Sequence, residues 1–394
     1  MSAAGTIVMA AQGEPPEQRD QRSRVIRRFR RHTFAMVSLW LLVVLGVTAV
    51  FADFLMPYGE AEAYYRGATN RAFAPPTQIR WTDPETGALV RPYVYAMTQQ
   101  RDPVSLRMVF TEDTAVRYPI RFFTSGRPYV PFPLSLVPIE TRQAWGIDVR
   151  SDLRLFGVDE PAYVYLWGAD QFGRDVFSRI FFGARVSLTI GVLASLVALV
   201  MGILVGGVAG MYGGRVDDVL MRFVEVVTTI PSLFLLLALR ALFPLDARPT
   251  TVFFVIVAIL GLVRWGPIAR VVRGMVLSLR EQEYVQAAVA LGARDPRVLF
   301  RHLLPGTYGY VIVAFSLLIP GFILTEAGLS FLGLGVGEPT ASWGLMLATA
   351  QQGGFQTFTA RPWMLIPGLF IFLVVLAFNF VGDGIRDALD PRSK

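Results

Sequence analysis

The sequence predicts an all-α polytopic membrane protein with six transmembrane helices and a long external insert after the first. Three observations predict it. Hydrophobic residues make up 53% of the 394 and charged residues 17%, with mean hydropathy +0.48, whereas a soluble domain has about 45–50% and about 25%. Four uncharged runs are long enough to cross about 30 Å of hydrocarbon, which takes about 20 residues. Arginines cluster between runs in a pattern that assigns sides of the membrane.

The elements follow in order. Residues 1–32 are rich in Gly, Glu, Gln and Arg, which predicts a cytoplasmic tail, disordered up to the cluster Arg19, Arg22, Arg24, Arg27, Arg28, Arg30 and Arg31. The first transmembrane helix takes 33–56, uncharged from Thr33 to Ala52. Its Arg-rich start and the Val50-Phe51-Ala52 end also resemble a cleaved signal peptide. The apolar run exceeds the roughly 7–15 residues of such a segment, and on either reading the next segment is external. That insert, 57–165, holds 12 Arg and 12 acidic residues. Its aromatic and β-branched patches (Tyr93-Val94-Tyr95, Tyr118 to Phe123, Tyr163 to Leu166) are broken by Pro and Gly and predict a small β-rich or irregular module.

Residues 166–185 lead into a core at 186–383. Three of its runs, Val186 to Gly214, Leu303 to Thr325 and Pro362 to Gly382, are clear spans. Two are shorter: Val226 to Leu239, bounded by Glu225 and Arg240, and Pro249 to Val263, ended by Arg264. Alone, each suits a buried soluble helix. Among clear spans they read as spans with polar groups facing a protein interior. Pro231, Pro267, Pro320 and Pro367 read as helix kinks. Gly202, Gly206, Gly207 and Gly210 include a small-xxx-small seam for close helix packing. Residues 384–394 form a second tail.

Arginine placement sets the orientation. The N-terminal cluster, and Arg270, Arg273, Arg280, Arg294, Arg297 and Arg301 between the fourth and fifth spans, put both termini and that loop in the cytoplasm. The insert and the loops near Asp246 to Arg248 and Gly337 to Arg361 are near neutral. The net charge of +7 is therefore a topology signal and no nucleic-acid partner is expected; the lipid bilayer is.

Composition also excludes chemistry. With no Cys and only His32 and His302, thiolate or three-His metal sites are out, and neither a cofactor nor a metal is expected on this chain. The one Lys is Lys394, so a Walker A loop is excluded. Any associated ATP hydrolysis belongs to another polypeptide. No catalytic constellation is visible, and no midplane acidic cluster or repeat speaks for a secondary transporter.

The most informative stretch is Glu281 to Pro305, EQEYVQAAVALGARDPRVLFRHLLP. Tyr284, Ala287, Ala288 and Leu291 recur at i, i+3, i+4 and i+7, one apolar helix face. Gly292 stops that helix. Asp295 and Pro296 read as an N-cap and first-turn proline of a second helix, with Val298, Leu299, Leu303 and Leu304 apolar. On physics alone this is either a working hairpin or a loop that merely joins two spans.

The stretch resembles the EAA loop of binding-protein-dependent ABC importer permeases, in which Glu-Ala-Ala, three residues, Gly, nine residues and Ile-x-Leu-Pro follow in order. Gln286-Ala287-Ala288, Gly292 and Leu304-Pro305 keep the spacing; Gln286 replaces the Glu and His302 the Ile. Trp167 to Arg179, containing Asp170, Gly173, Arg174, Asp175, Ser178 and Arg179, is similar to the GTDxxGRDxxSR stretch of dipeptide/oligopeptide permease C-type subunits. Glu326 to Gly335, Ser342-Trp343-Gly344 and Asn379 to Pro391 resemble three further segments of that family.

The resemblance implies a six-span permease subunit in a bacterial inner membrane. It implies a second, B-type permease subunit, two ATP-binding subunits that use ATP and Mg, and an external substrate-binding protein. It implies an ATPase-coupling role for Gln286, Ala287, Ala288, Gly292, Asp295, Leu304 and Pro305, and peptides as cargo. Relatives that carry nickel chelates or glycans stay open, as does a non-transporting scaffold. Glu326, Arg240 and Arg264 are candidates for the pathway or for structural polar pairs. The Gly173-Arg174-Asp175 stretch suits either a partner contact or a local turn.

Overall fold

The computed structural model describes residues 16–62, 70–101, 103, 108–134, 141–142, 145–147, 149–244 and 249–389. The expectations placed on 1–15, on the 246–248 loop and on 390–394 fall outside the described residues. The arginine cluster is helical: α1 runs Pro16–Arg31. It leads through His32, whose Nδ1 accepts the Ala35 amide at 3.2 Å, into α2 (Thr33–Val50) and the short α3 (Ala52–Leu55).

Four helical stretches are long and apolar enough to cross a membrane: α2, α4 (Val176–Tyr212), Asp295–Phe331 and Pro362–Leu389. The two short apolar runs are not straight helices. Each belongs to a bent pair: α5 (Gly214–Thr229) meets α6 (Ser232–Ala241) at 87°, and α7 (Pro249–Arg264) meets α8 (Gly266–Arg280) at 47°. Counting each pair as one span gives six.

Proline chemistry explains where the breaks fall. Pro231 caps α6 and Pro267 stands in the first turn of α8, so neither ring has an i−4 carbonyl of its own helix to meet. The other two prolines do not break their helices. Pro320 lies inside α11 (Tyr308–Phe331), which runs through it. Pro367 is the second residue of α14 (Ile366–Leu389), where a missing N–H costs nothing.

α4 begins at Val176, well before the uncharged run at Val186. The Asp175 carboxylate accepts the Ser178 amide at 2.9 Å and so starts the helix ahead of its apolar part. Residues 176–185 are therefore helix and not a lead-in segment. α4 is the central element. Its glycine seam faces α8: a Cβ on Gly202, Gly206 or Gly210 would collide with Ile268, with the Ala269 backbone, or with Arg273 and Val276. Ile190, Ala198, Leu260, Ile268 and Phe322 bury the contact between α4, α7, α8 and α11. The helix α12 (Trp343–Gln352) seats the buried Trp343 against Ala184, Ile323 and Val374.

Between α3 and α4 the chain forms strands. β1 (Arg80–Thr82), β2 (Leu89–Arg101) and β3 (Met108–Pro119) make an antiparallel sheet, and β4 (Arg121–Tyr129) pairs antiparallel with β5 (Ser151–Gly157). The sheets bury Val94, Ala96, Ala162 and Val164. Side chains tie this module to the helices: buried Arg154 donates to the Met56 carbonyl at 3.2 Å, and Arg185 on α4 pairs with Asp53 at 2.6 Å.

Candidate coupling hairpin and membrane cavity

The hairpin grows from the end of α8. Arg280 there donates to the Met211 carbonyl at the end of α4 at 3.1 Å. After the Gln282 cap, α9 covers Glu283–Ala290. Gly292 takes φ +80°, a left-handed conformation that favours glycine. Its amide donates to the Val289 carbonyl at 2.9 Å, and the Ala293 amide to Ala288 at 3.1 Å. Those two bonds form a Schellman stop.

Helix α10 covers Asp295–Val298. Its N-cap is Arg294 and Asp295 is the first helical residue, so the helix starts one place earlier than the sequence suggests. No side-chain hydrogen bond caps this end. A π-helical turn (Leu299–Leu303) and a 3-10 turn (Leu304–Thr307) then join α10 to α11 without interruption.

The hairpin is anchored at its base and open at its tip. Val285, Val298, Leu299, Leu303 and Leu304 are buried. Tyr284, Val289 and Leu291 are exposed, Leu291 at 88%. The apolar face formed by Tyr284, Ala287 and Leu291 thus lies outward, with Ala288 half-buried. Of the seven residues singled out, Gln286, Ala287, Ala288, Gly292 and Asp295 lie towards this open side. Leu304 and Pro305 lie at the base. The Gln286 amide donates to the Glu281 carbonyl at 3.2 Å, a bond the Glu of the family pattern could not donate.

Two further ties hold α8 in place. Arg273 grips buried Asp217 of α5 through two guanidinium nitrogens, and Arg270 donates to Thr228 Oγ1 at 3.1 Å. Sequence reading counted these arginines only towards topology; nothing in their spacing announces the partner on α5.

A cavity of about 1100 Å³ opens where the two helix breaks face α11 and α14. Its polar lining is Thr228, Ser232, Arg264, Arg270, Tyr310 and Arg386, with no acidic residue among the described ones. Arg264 stacks over Phe322 with 6.0 Å to the ring centroid and makes no ion pair among the described residues.

The other two candidate polar residues are enclosed elsewhere. Glu326 is fully buried; it accepts the Ser330 hydroxyl at 2.7 Å and the Ser187 hydroxyl at 3.2 Å. Arg240 is buried and donates to the carbonyls of Leu334 at 2.9 Å and Phe243 at 3.1 Å. Neither lines the cavity.

The residues of the Asp170–Arg179 stretch close on each other. Asp170 accepts the amides of Phe172 at 2.8 Å and Arg174 at 3.0 Å, and Gly173 turns at φ +72°. The Arg174 guanidinium binds Asp170 at 2.7 Å and both oxygens of Glu338, one of them at 2.8 Å. Arg179 reaches Glu338 at 3.4 Å and the Glu60 carbonyl at 2.9 Å. Burial works against ionising Glu338, but the Arg174 and Arg179 guanidiniums outweigh it and hold the carboxyl below its usual range. Burial pushes Asp175 up to about 7 against the Ser178 hydrogen bonds. Ser178 is wholly buried and donates its hydroxyl to Asp175.

Among the described residues no group of three or more His, Asp or Glu is placed to hold a metal ion. Matches to known proteins cover the same parts of the chain. The profile of the binding-protein-dependent transport system inner membrane component family matches residues 179–394, and that of the N-terminal TM domain of oligopeptide transport permease C matches 21–76. The oligopeptide transport system permease protein OppC of Bacillus subtilis is 41% identical over 244 residues, 61% of this chain and 77% of that protein. The dipeptide transport system permease protein DppC of the same organism is 41% identical over 59% of this chain and 70% of its own length. The oligopeptide transport system permease protein OppC of Escherichia coli is 41% identical over 58% of this chain and 73% of its own.

Proposed function

The chain belongs to the binding-protein-dependent transport system inner membrane component family, and on that premise we propose that it is a permease subunit of an ATP-driven peptide importer. Two relatives named for oligopeptide transport and one for dipeptide transport, each at 41% identity, support the cargo class. The chain is a transporter component without its own ATPase site. ATP and Mg are used by two partner ATP-binding subunits. A second, B-type permease completes the pathway, and an external binding protein delivers the peptide. The termini and the 281–305 hairpin face the cytoplasm.

The observation that carries the coupling role is the hairpin's exposed apolar tip. Tyr284, Val289 and Leu291 are exposed next to a stop held by two backbone bonds, which suits a rigid insert for a groove on an ATPase. Closure of the ATPases moves that insert. The movement passes into α8 on one side and α11 on the other, both of which line the cavity. Their tilt switches the cavity between sides. The energy comes from nucleotide binding the two states unequally, acting through a rigid element with two positions.

Gly292→Trp tests this. A bulky residue at φ +80° distorts the stop. The expected result is loss of uptake and of substrate-stimulated ATP hydrolysis with membrane insertion unchanged. Normal uptake by this variant would sink the coupling role.

A further inference from the structure

The cavity lined by Arg264 has a charge pattern that the coupling role does not use. Arg264 sits at the midpoint of the bent pair 249–280, where the chain breaks between α7 and α8. An ionisable group inside an apolar spanning segment is costly unless it faces a partner or a water-filled space. Arg264 has the face of Phe322 and no ion pair among the described residues. Gly321 on α11 leaves it room: a Cβ there would lie 3.1 Å from the guanidinium. Arg270 and Arg386 line the same cavity, and none of its lining residues among the described ones is acidic. Three cations on low-dielectric walls with no counter-charge concentrate anions and repel ammonium groups. A guanidinium also binds a carboxylate through two parallel hydrogen bonds.

We propose that this cavity binds the C-terminal carboxylate of the peptide in transit and that Arg264 is the residue that reads it. The proposal rests on the reading of the chain as a peptide permease, and it adds an orientation. The cargo passes with its carboxylate at the helix breaks, held by Arg264, with Tyr310 and Ser232 as hydroxyl donors on the same wall. The volume, about 1100 Å³, lies just above the roughly 300–1,000 Å³ of small-molecule sites and admits a short peptide. The rival occupant is an acidic side chain of the second permease subunit, which would neutralise Arg264 permanently.

Two measurements on the complete importer in proteoliposomes decide between them. The first compares uptake of a tripeptide with its C-terminal amide. Arg264→Gln should lower uptake of the free acid about tenfold and leave the amide within about twofold of wild type, with Arg264→Lys recovering part of the loss. An equal fall for both peptides would mean that Arg264 is structural.

The second needs no peptide. The chain has no cysteine, so Ser232→Cys places one thiol in the cavity wall. Its modification is read by the mass of this chain with an anionic sulfonatoethyl and a cationic trimethylammonioethyl methanethiosulfonate, each normalised to its rate with a free thiol. The anionic reagent should react faster, and adding Arg264→Gln should cut the ratio by about threefold or more. A ratio indifferent to Arg264, or a thiol that neither reagent reaches, overturns the proposal. If wild type carries neither peptide, the peptide reading fails by itself and the thiol ratio still judges the anion site.

Discussion

The turn before α4 and the 281–305 hairpin treat their side chains in opposite ways. At the turn, Arg174 is 4% exposed and its guanidinium is shared between Asp170 and Glu338, with Arg179 at the same carboxylate. The chain completes that site from its own residues. At the hairpin, Leu291 is 88% exposed, and in the cavity beside it Arg264 has no acidic partner among the described residues. Those regions are left incomplete by the chain. The difference separates structure from function inside one set of family motifs: the Asp170–Arg179 residues build a lock, and the hairpin presents a surface.

Removing the lock should have the largest effect. Arg174→Ala leaves Asp170 and Glu338 without their main cation, and breaking a buried pair on one side costs about 3–5 kcal/mol. The expected result is a large drop in thermal midpoint in detergent, with Arg174→Lys intermediate because an ammonium cannot fork across both oxygens of Glu338. An unchanged midpoint would break the comparison.

Leu291→Ser should do the reverse at the hairpin. The side chain buries almost nothing, so stability should stay within about 0.5 kcal/mol, while peptide uptake falls because the apolar tip has lost its most prominent side chain. Loss of stability without loss of uptake would make the hairpin an ordinary connecting loop.

The effect confined to the narrowest pH window concerns the edge of the lock. Asp175 has its carboxyl raised from 3.8 to about 7 by burial. The folded state therefore holds this proton more tightly than the unfolded one. The stabilisation is full below about pH 4 and is lost as pH rises to about 7. Asp175→Asn keeps a helix cap without the charge. It should flatten that part of the midpoint-versus-pH curve; an unaltered slope would assign the pH dependence to other groups.

The hairpin was the most legible part of the sequence because its signals are local. The apolar spacing of Tyr284, Ala287 and Leu291, the Gly292 stop and the Asp295-Pro296 start all act within a turn or two of where they are read. Even there the cap is Arg294, and the helix starts at Asp295 instead of Pro296. The lock was not legible. Arg174 and Glu338 are 164 residues apart, and only the tertiary fold brings them together. The short apolar runs announced spans but not their shape. Pro231 and Pro267 mark breaks and Pro320 and Pro367 do not, a distinction that depends on where each ring falls relative to its helix start. Glu326 reads in the sequence as either a pathway residue or a structural polar group; Ser187, a long way back on α4, and Ser330 enclose it.

The junction between hairpin and membrane helix behaves as a torsional joint. From Asp295 to Phe331 the backbone winds continuously, but Leu299–Leu303 is wound more loosely than an α-helix and Leu304–Thr307 more tightly. The two deviations oppose each other in sense. If either turn relaxes to α-helical winding, the other is no longer offset, and everything beyond Thr307 rotates about its own axis. In the coupling role proposed above, a push on the hairpin therefore has a second outlet besides tilting. It can turn the face of α11 that carries Tyr310, Val313 and Leu317, changing which side chains the cavity presents without displacing the helix sideways.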